Sequence, residues 1–191
     1  MDVNDALRQI EEIESQAANP PAPAAEGPKP PRMSLAARAV RGLLTPDDVP
    51  EEAYRSFSRS VLGGVPFTHS FQVLKGQVTL VFGEPTGELA RQYHLVRDRI
   101  DPEQMETLSR LAILGHLVSI DGPDGPLYRR TDDLGNATDK GSAEAAQAID
   151  VAYMAMVTKV GGSLARVIPQ LWVLFGGLWT VLVNNEVPSS F

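Results

Sequence analysis

The chain has 191 residues, with 24 acidic against 17 basic side chains and a net charge of −7. That balance excludes a phosphate backbone as principal partner, because nucleic-acid affinity comes from clustered Lys and Arg. The absence of cysteine removes disulfides, thiolate nucleophiles and every cysteine-containing zinc site.

The N-terminal sequence MDVNDALRQIEEIESQ has neither the basic start nor the continuous apolar core of a signal peptide. Val3, Leu7, Ile10 and Ile13 recur at helical spacing among Asp5, Glu11, Glu12 and Glu14, which predicts a short amphipathic helix. Its stripe is too thin to stand alone, so Leu7, Ile10 and Ile13 are candidate partner contacts. Residues 19–31, NPPAPAAEGPKPP, hold six prolines in thirteen positions and read as an extended linker of polyproline II character. Residues 1–31 therefore form a flexible arm, and residues 32–191 one α+β domain.

In that domain Ser34 caps a helix through Leu44, with Leu35, Ala39 and Leu43 on one face. Pro50 and two glutamates open the next helix, whose buried stripe is Tyr54, Phe57 and Val61 and whose end is Gly63-Gly64. Phe67 to Leu89 reads as a β-hairpin running into a helix. A turn at Lys75-Gly76 sets Val73 opposite Val78, Phe71 opposite Leu80 and His69 opposite Phe82, so one face is apolar along its length. The other face carries Ser70, Gln72, Gln77 and Thr79. With a free edge expected on each strand, Gln72 and Thr79 become candidate partner contacts.

Thr86 caps a helix with Leu89, Tyr93, Val96 and Ile100 on its stripe. Asp101-Pro102-Glu103-Gln104 supplies a cap, a first-position proline and a capping-box glutamine for a helix reaching about Ser119, apolar nearly all round from Leu111 to Ile120. Residues 121–142 form a long loop rich in turn residues. Ser142 caps a helix with Ile149, Tyr153, Met156 and Val160 on its stripe. Residues 167–185 are uncharged and carry Trp172, Phe175 and Trp179 at helical spacing, three more candidate partner contacts on an apolar C-terminal helix. The expected fold is α+β, mainly helical, with one antiparallel β-hairpin at about 67–82 and a proline-rich N-terminal arm.

No catalytic constellation emerges. His69, His94 and His116 are not spaced to ligate one metal from a helix face. There is no GxSxG elbow, and GNATDKGS at 135–142 places its lysine wrongly for a phosphate-binding loop. Asp121, Asp124, Asp132, Asp133 and Asp139 fit no calcium frame and read as a solvated acidic loop. Glu84 and Glu88 are helix-start acids of a common kind. No metal site, cofactor or catalytic residue is expected.

Val65-Pro66-Phe67, the hairpin ending LVFGEPT, and the helix opened by Thr86-Gly87-Glu88 together resemble the tail-assembly chaperone and baseplate-hub proteins of tailed bacteriophages, over residues 65–100. The resemblance implies a non-enzymatic assembly or structural role in a phage tail or baseplate. It also implies other tail proteins as partners, an oligomeric assembly, and a place in the virion or in the host cytoplasm during assembly. The alternative reading is a C-terminally tail-anchored membrane protein, since nineteen uncharged residues approach the roughly 20 that span a bilayer. Pro169, Gln170, Gly176, Gly177 and Thr180 dilute that segment.

Overall fold

The computed structural model describes residues 33–131 and 134–186. The chain divides into the units Met1–Met33 and Ser34–Phe191. The arm, with Leu7, Ile10 and Ile13, lies outside the described residues, as do Asp132 and Asp133. In chain order the second unit runs α1 (Leu35–Val40), a 3-10 turn (Pro46–Asp48), α2 (Glu51–Gly63), β1 (Thr68–Val73), β2 (Val78–Gly83), α3 (Gly87–Arg97), α4 (Met105–His116), β3 (Leu117–Gly122), β4 (Gly125–Arg129), α5 (Gly135–Thr138), α6 (Ser142–Val160) and α7 (Gly162–Glu186). The class is α+β, with the helices collected around one antiparallel sheet.

β1 and β2 pair in the register their alternation dictates, Val73 opposite Val78, Phe71 opposite Leu80 and His69 opposite Phe82. The connection is Leu74–Gln77, in which Gly76 donates to the Val73 carbonyl and Gln77 to that of Leu74. Leu74 and Lys75 hold φ of 51° and 57° there, beside Gly76 at 84°. A branched side chain in the left-handed region costs roughly 1–2 kcal/mol, and asparagine tolerates it better. Leu74 is exposed, so Leu74→Asn is expected to raise the urea midpoint by an amount worth about 0.5–1 kcal/mol.

The sheet is larger than a hairpin: four strands lie in the order β1-β2-β3-β4, all antiparallel. β3 and β4 occupy the stretch expected to be the end of a helix and a long loop. The expected helix to Ser119 stops at His116, and Leu117 turns at once to extended backbone. Leu117 and Ile120 are fully buried, and a short apolar run reads equally as buried helix or buried strand. Pro123-Asp124 is the two-residue turn of a second hairpin, with Gly122 opposite Gly125.

Helix boundaries moved for local reasons. Asp101 does not cap α4: its carboxylate accepts from the Glu103 N–H at 2.9 Å and its carbonyl from Gln104, a closed turn that delays the helix to Met105. α1 ends at Val40 rather than Leu44, and Leu35 and Leu43 stand exposed. In α2 the buried residues are Ala53 and Phe57, while Val61 is exposed, so the covered stripe is rotated from the expected one. The stripes of α3 and α6 hold: Leu89, Val96, Ile149, Met156 and Val160 are buried, and Ile100 is buried just past the end of α3, which stops at Arg97.

The main core lies on one sheet face, where Phe71, Val78, Leu80, Phe82, Leu117 and Ile120 meet Phe57 of α2 and Ile168, Phe175, Leu178 and Leu182 of α7. A second cluster joins α3, α4 and α6 through Val96, Ile100, Leu111, Leu114, Ala145 and Ile149. α1 and the turn after it close on α7 at Gly177, where a Cβ would stand 3.1 Å from Ala39 Cβ and 2.8 Å from Leu44 Cδ1.

Candidate functional site

β1 is an edge strand. The Phe67 carbonyl accepts from the Glu84 N–H at 3.1 Å, which directs the main-chain groups of Phe67, His69, Phe71 and Val73 at β2 and those of Thr68, Ser70 and Gln72 outward. α2 occupies the first outward position: Ser56 Oγ donates to the Thr68 carbonyl at 2.6 Å and accepts from its N–H at 3.4 Å. No described residue meets the outward groups of Ser70 and Gln72, and both side chains are exposed. α2 also ends in exposed Val61 and Leu62, followed by exposed Val65.

The two edges of the sheet differ chemically. β4 carries Pro126 and the Arg129–Asp121 ion pair, and its register against β3 shifts at Ile120/Asp121. Proline, charge and irregularity are how sheet edges are made unreceptive. β1, THSFQV, has no charged residue and no proline. Its His69 is 8% exposed, set edge-on to Phe71 at 4.7 Å between ring centroids. Burial pushes the His69 pKa down, with Glu52 pulling against that, so the ring adds no charge to the edge.

The candidate contacts separate accordingly. Gln72 sits on the open edge. Thr79 does not, because β2 is an interior strand and Thr79 is opposite Asp121 of β3; the free edge expected on each hairpin strand exists only on β1. Trp172, Phe175 and Trp179 turn into their own domain. Phe175 is 3% exposed and stacks on Phe67 and Phe82 at 5.4 and 5.8 Å, and Trp179 lies 5.3 Å from Phe67. What was expected to be a sticky end is the cover of the sheet. Leu7, Ile10 and Ile13 lie outside the described residues.

One cluster had no sequence signature. At the junction of α4 and β3, His116 donates from Nδ1 to the Ala112 carbonyl at 2.8 Å, with the Trp172 ring 4.5 Å and the Tyr93 ring 5.4 Å away. Burial lowers its pKa; the Ala112 hydrogen bond opposes this, and the positive Arg130 adds to it. Arg130 donates to the Gly115 carbonyl at 2.9 Å, across the same junction.

The carboxylates are committed to structure. Glu84 accepts from the Phe67 N–H, tying the two ends of the first hairpin. Glu88 pairs with Arg91, which holds its pKa low, so it is a poor proton donor at neutral pH. Among the described residues no group of three His, Asp or Glu is placed to hold a metal ion. An open groove of about 830 Å³ runs along α6. No family model, curated protein or solved structure matches the chain.

Proposed function

We propose that this chain is a non-enzymatic assembly or structural protein of a phage tail or baseplate, acting through protein–protein contacts. The observation that carries the contact mechanism is the uncharged, half-open edge of β1. An extended segment of a neighbouring tail protein adds there as a strand, its main chain meeting Ser70 and Gln72, with α2 limiting how far it runs. The tail setting rests on the resemblance over residues 65–100. The experiment is co-purification of tail proteins with the full chain and with Ser70→Pro. The Ser70 N–H points away from β2, so proline there leaves the β1–β2 ladder intact and removes one donor from the open edge. The expected result is at least roughly tenfold lower recovery of the partner with an unchanged circular dichroism spectrum; unchanged recovery overturns strand addition.

The alternative, a C-terminal membrane anchor, draws on α7, which is long and apolar enough to cross a bilayer over Gly162–Asn185. Against it, Leu164, Ile168, Phe175, Leu178 and Leu182 are buried in the domain core, and the opposite face exposes Arg166, Gln170, Thr180 and Asn184. Insertion would strip the sheet of its cover and place Arg166 near hydrocarbon. The protein is expected in the supernatant after carbonate extraction, and retention in the membrane pellet would establish the anchor instead.

A further inference from the structure

α6 meets the body through Ala145, Ala146, Ile149, Met156 and Val160, all buried. Its other face is uncovered: Glu144, Val151, Ala152, Ala155 and Lys159 are exposed and Ala148 is half-buried. This face forms one wall of the groove of about 830 Å³, with Leu134, Ala137 and Lys140 on the far side. Neither Glu144 nor Lys159 belongs to an ion pair among the described residues.

Positions 144, 148, 151, 152, 155 and 159 are spaced by four, three, one, three and four, the same from either end. Those steps keep the residues on one helix face. When a second α6 lies antiparallel across a two-fold axis between Val151 and Ala152, Glu144 faces Lys159 of the partner subunit. Ala148 then faces Ala155 of the partner subunit, and Val151 faces Ala152 of the partner subunit. Among these six positions every apolar residue meets an apolar residue and each charge meets its opposite, twice over by symmetry.

We infer that the exposed face of α6 is a homodimer interface, in which two copies pair this helix antiparallel with reciprocal Glu144–Lys159 ion pairs. Self-complementarity is what a two-fold contact requires, because the same patch serves both partners. The charge pattern selects a second copy over an unrelated helix. Alanine at 148, 152 and 155 lets the axes approach near the lower end of the usual 8–10 Å. A helix of 19 residues is about 28 Å long. A standard interface takes about 800 Å² from each partner, more than one helix face supplies, so the groove wall at Leu134 and Lys140 contributes. Affinity is accordingly expected in the micromolar range. The inference does not rest on the phage setting, since dimerisation is read on the isolated full chain.

Sedimentation velocity from about 1 to 200 µM is expected to move the mass from 20.6 kDa towards twice that value. Glu144→Lys or Lys159→Glu turns both ion pairs into like-charge pairs at once and is expected to weaken dimerisation about tenfold. The double variant E144K/K159E restores opposite charges and is expected to recover most of the loss. Both side chains are exposed, and circular dichroism checks that each variant folds. A monomer at every concentration, a dimer indifferent to the single reversals, or a double variant no tighter than the singles would each overturn the inference.

Discussion

Phe67→Ala is expected to destabilise the domain by about 3–5 kcal/mol, the usual cost of truncating a fully buried aromatic. Phe67 is 0% exposed, and its ring lies 6.1 Å from Phe57, 5.4 Å from Phe175 and 5.3 Å from Trp179. It is therefore the point where α2, the first hairpin and α7 meet. The void would open between elements that cannot readily close on it. β1 is pinned by its ladder to β2 and by Ser56, and α7 is held against α1 at Gly177. Set against a total stability of about 5–15 kcal/mol, the loss is a large fraction. Urea unfolding followed by tryptophan fluorescence measures it well, because the only two tryptophans, Trp172 and Trp179, both lie on α7. Leu62→Ala is the matched control: Leu62 is 87% exposed, and its truncation is expected to stay within about 0.5 kcal/mol.

How far the sequence was legible depended on period and length. The first hairpin could be read to the residue, because a strand with one buried face permits only one register. The α3 and α6 stripes could be read because they persist over several turns. β3 and β4 could not. Leu111 to Ile120 is apolar apart from Gly115, His116 and Ser119, a stretch in which helix and strand look alike, and a single glycine such as Gly115 is tolerated inside a helix and does not by itself mark its end. That one miss had consequences elsewhere. With only two strands in view, the sheet seemed to offer a free edge at Thr79, and the apolar C-terminal segment seemed to have more surface than the body needed. Four strands present a broad apolar face, and Trp172, Phe175 and Trp179 are what it takes to cover it. Of the candidate contacts, Gln72 keeps its place on an open edge, because charge and proline content were readable in β1 itself. The reciprocal spacing on α6 was present in the sequence throughout. It acquired meaning only with Ile149, Met156 and Val160 facing inward and the other side lining an open groove, exposed among the described residues.

Mild acid is expected to weaken the fold, and the two buried imidazoles set where this begins. His69 and His116 are both held neutral in the folded state, chiefly by burial, so both folded pKa values lie below the ordinary value near 6.5. The unfolded chain binds protons near pH 6.5 and the folded chain does not. Their contribution to stability is therefore complete above that pH and is lost as pH falls towards the folded values. Each histidine contributes at most about 1.4 kcal/mol per pH unit to the slope. The charges around each ring agree with that sign at His116, where Arg130 disfavours a second positive charge, and oppose it in part at His69, where Glu52 stands nearby. At lower pH a second loss follows, because Asp48, Glu88 and Asp121 have depressed pKa values. Hydrogen bonds from Thr45 are the main cause for Asp48, and Arg91 and Arg129 for the other two. Urea unfolding at pH 7.5, 6.5 and 5.5 is expected to show a small loss of stability between the first two and a larger drop at the third. His116→Gln keeps a side-chain donor near Ala112 and cannot take up the proton, so it should start from lower stability and decline less steeply. A wild-type profile flat to pH 5, or a variant slope equal to the wild type, would remove His116 from that role.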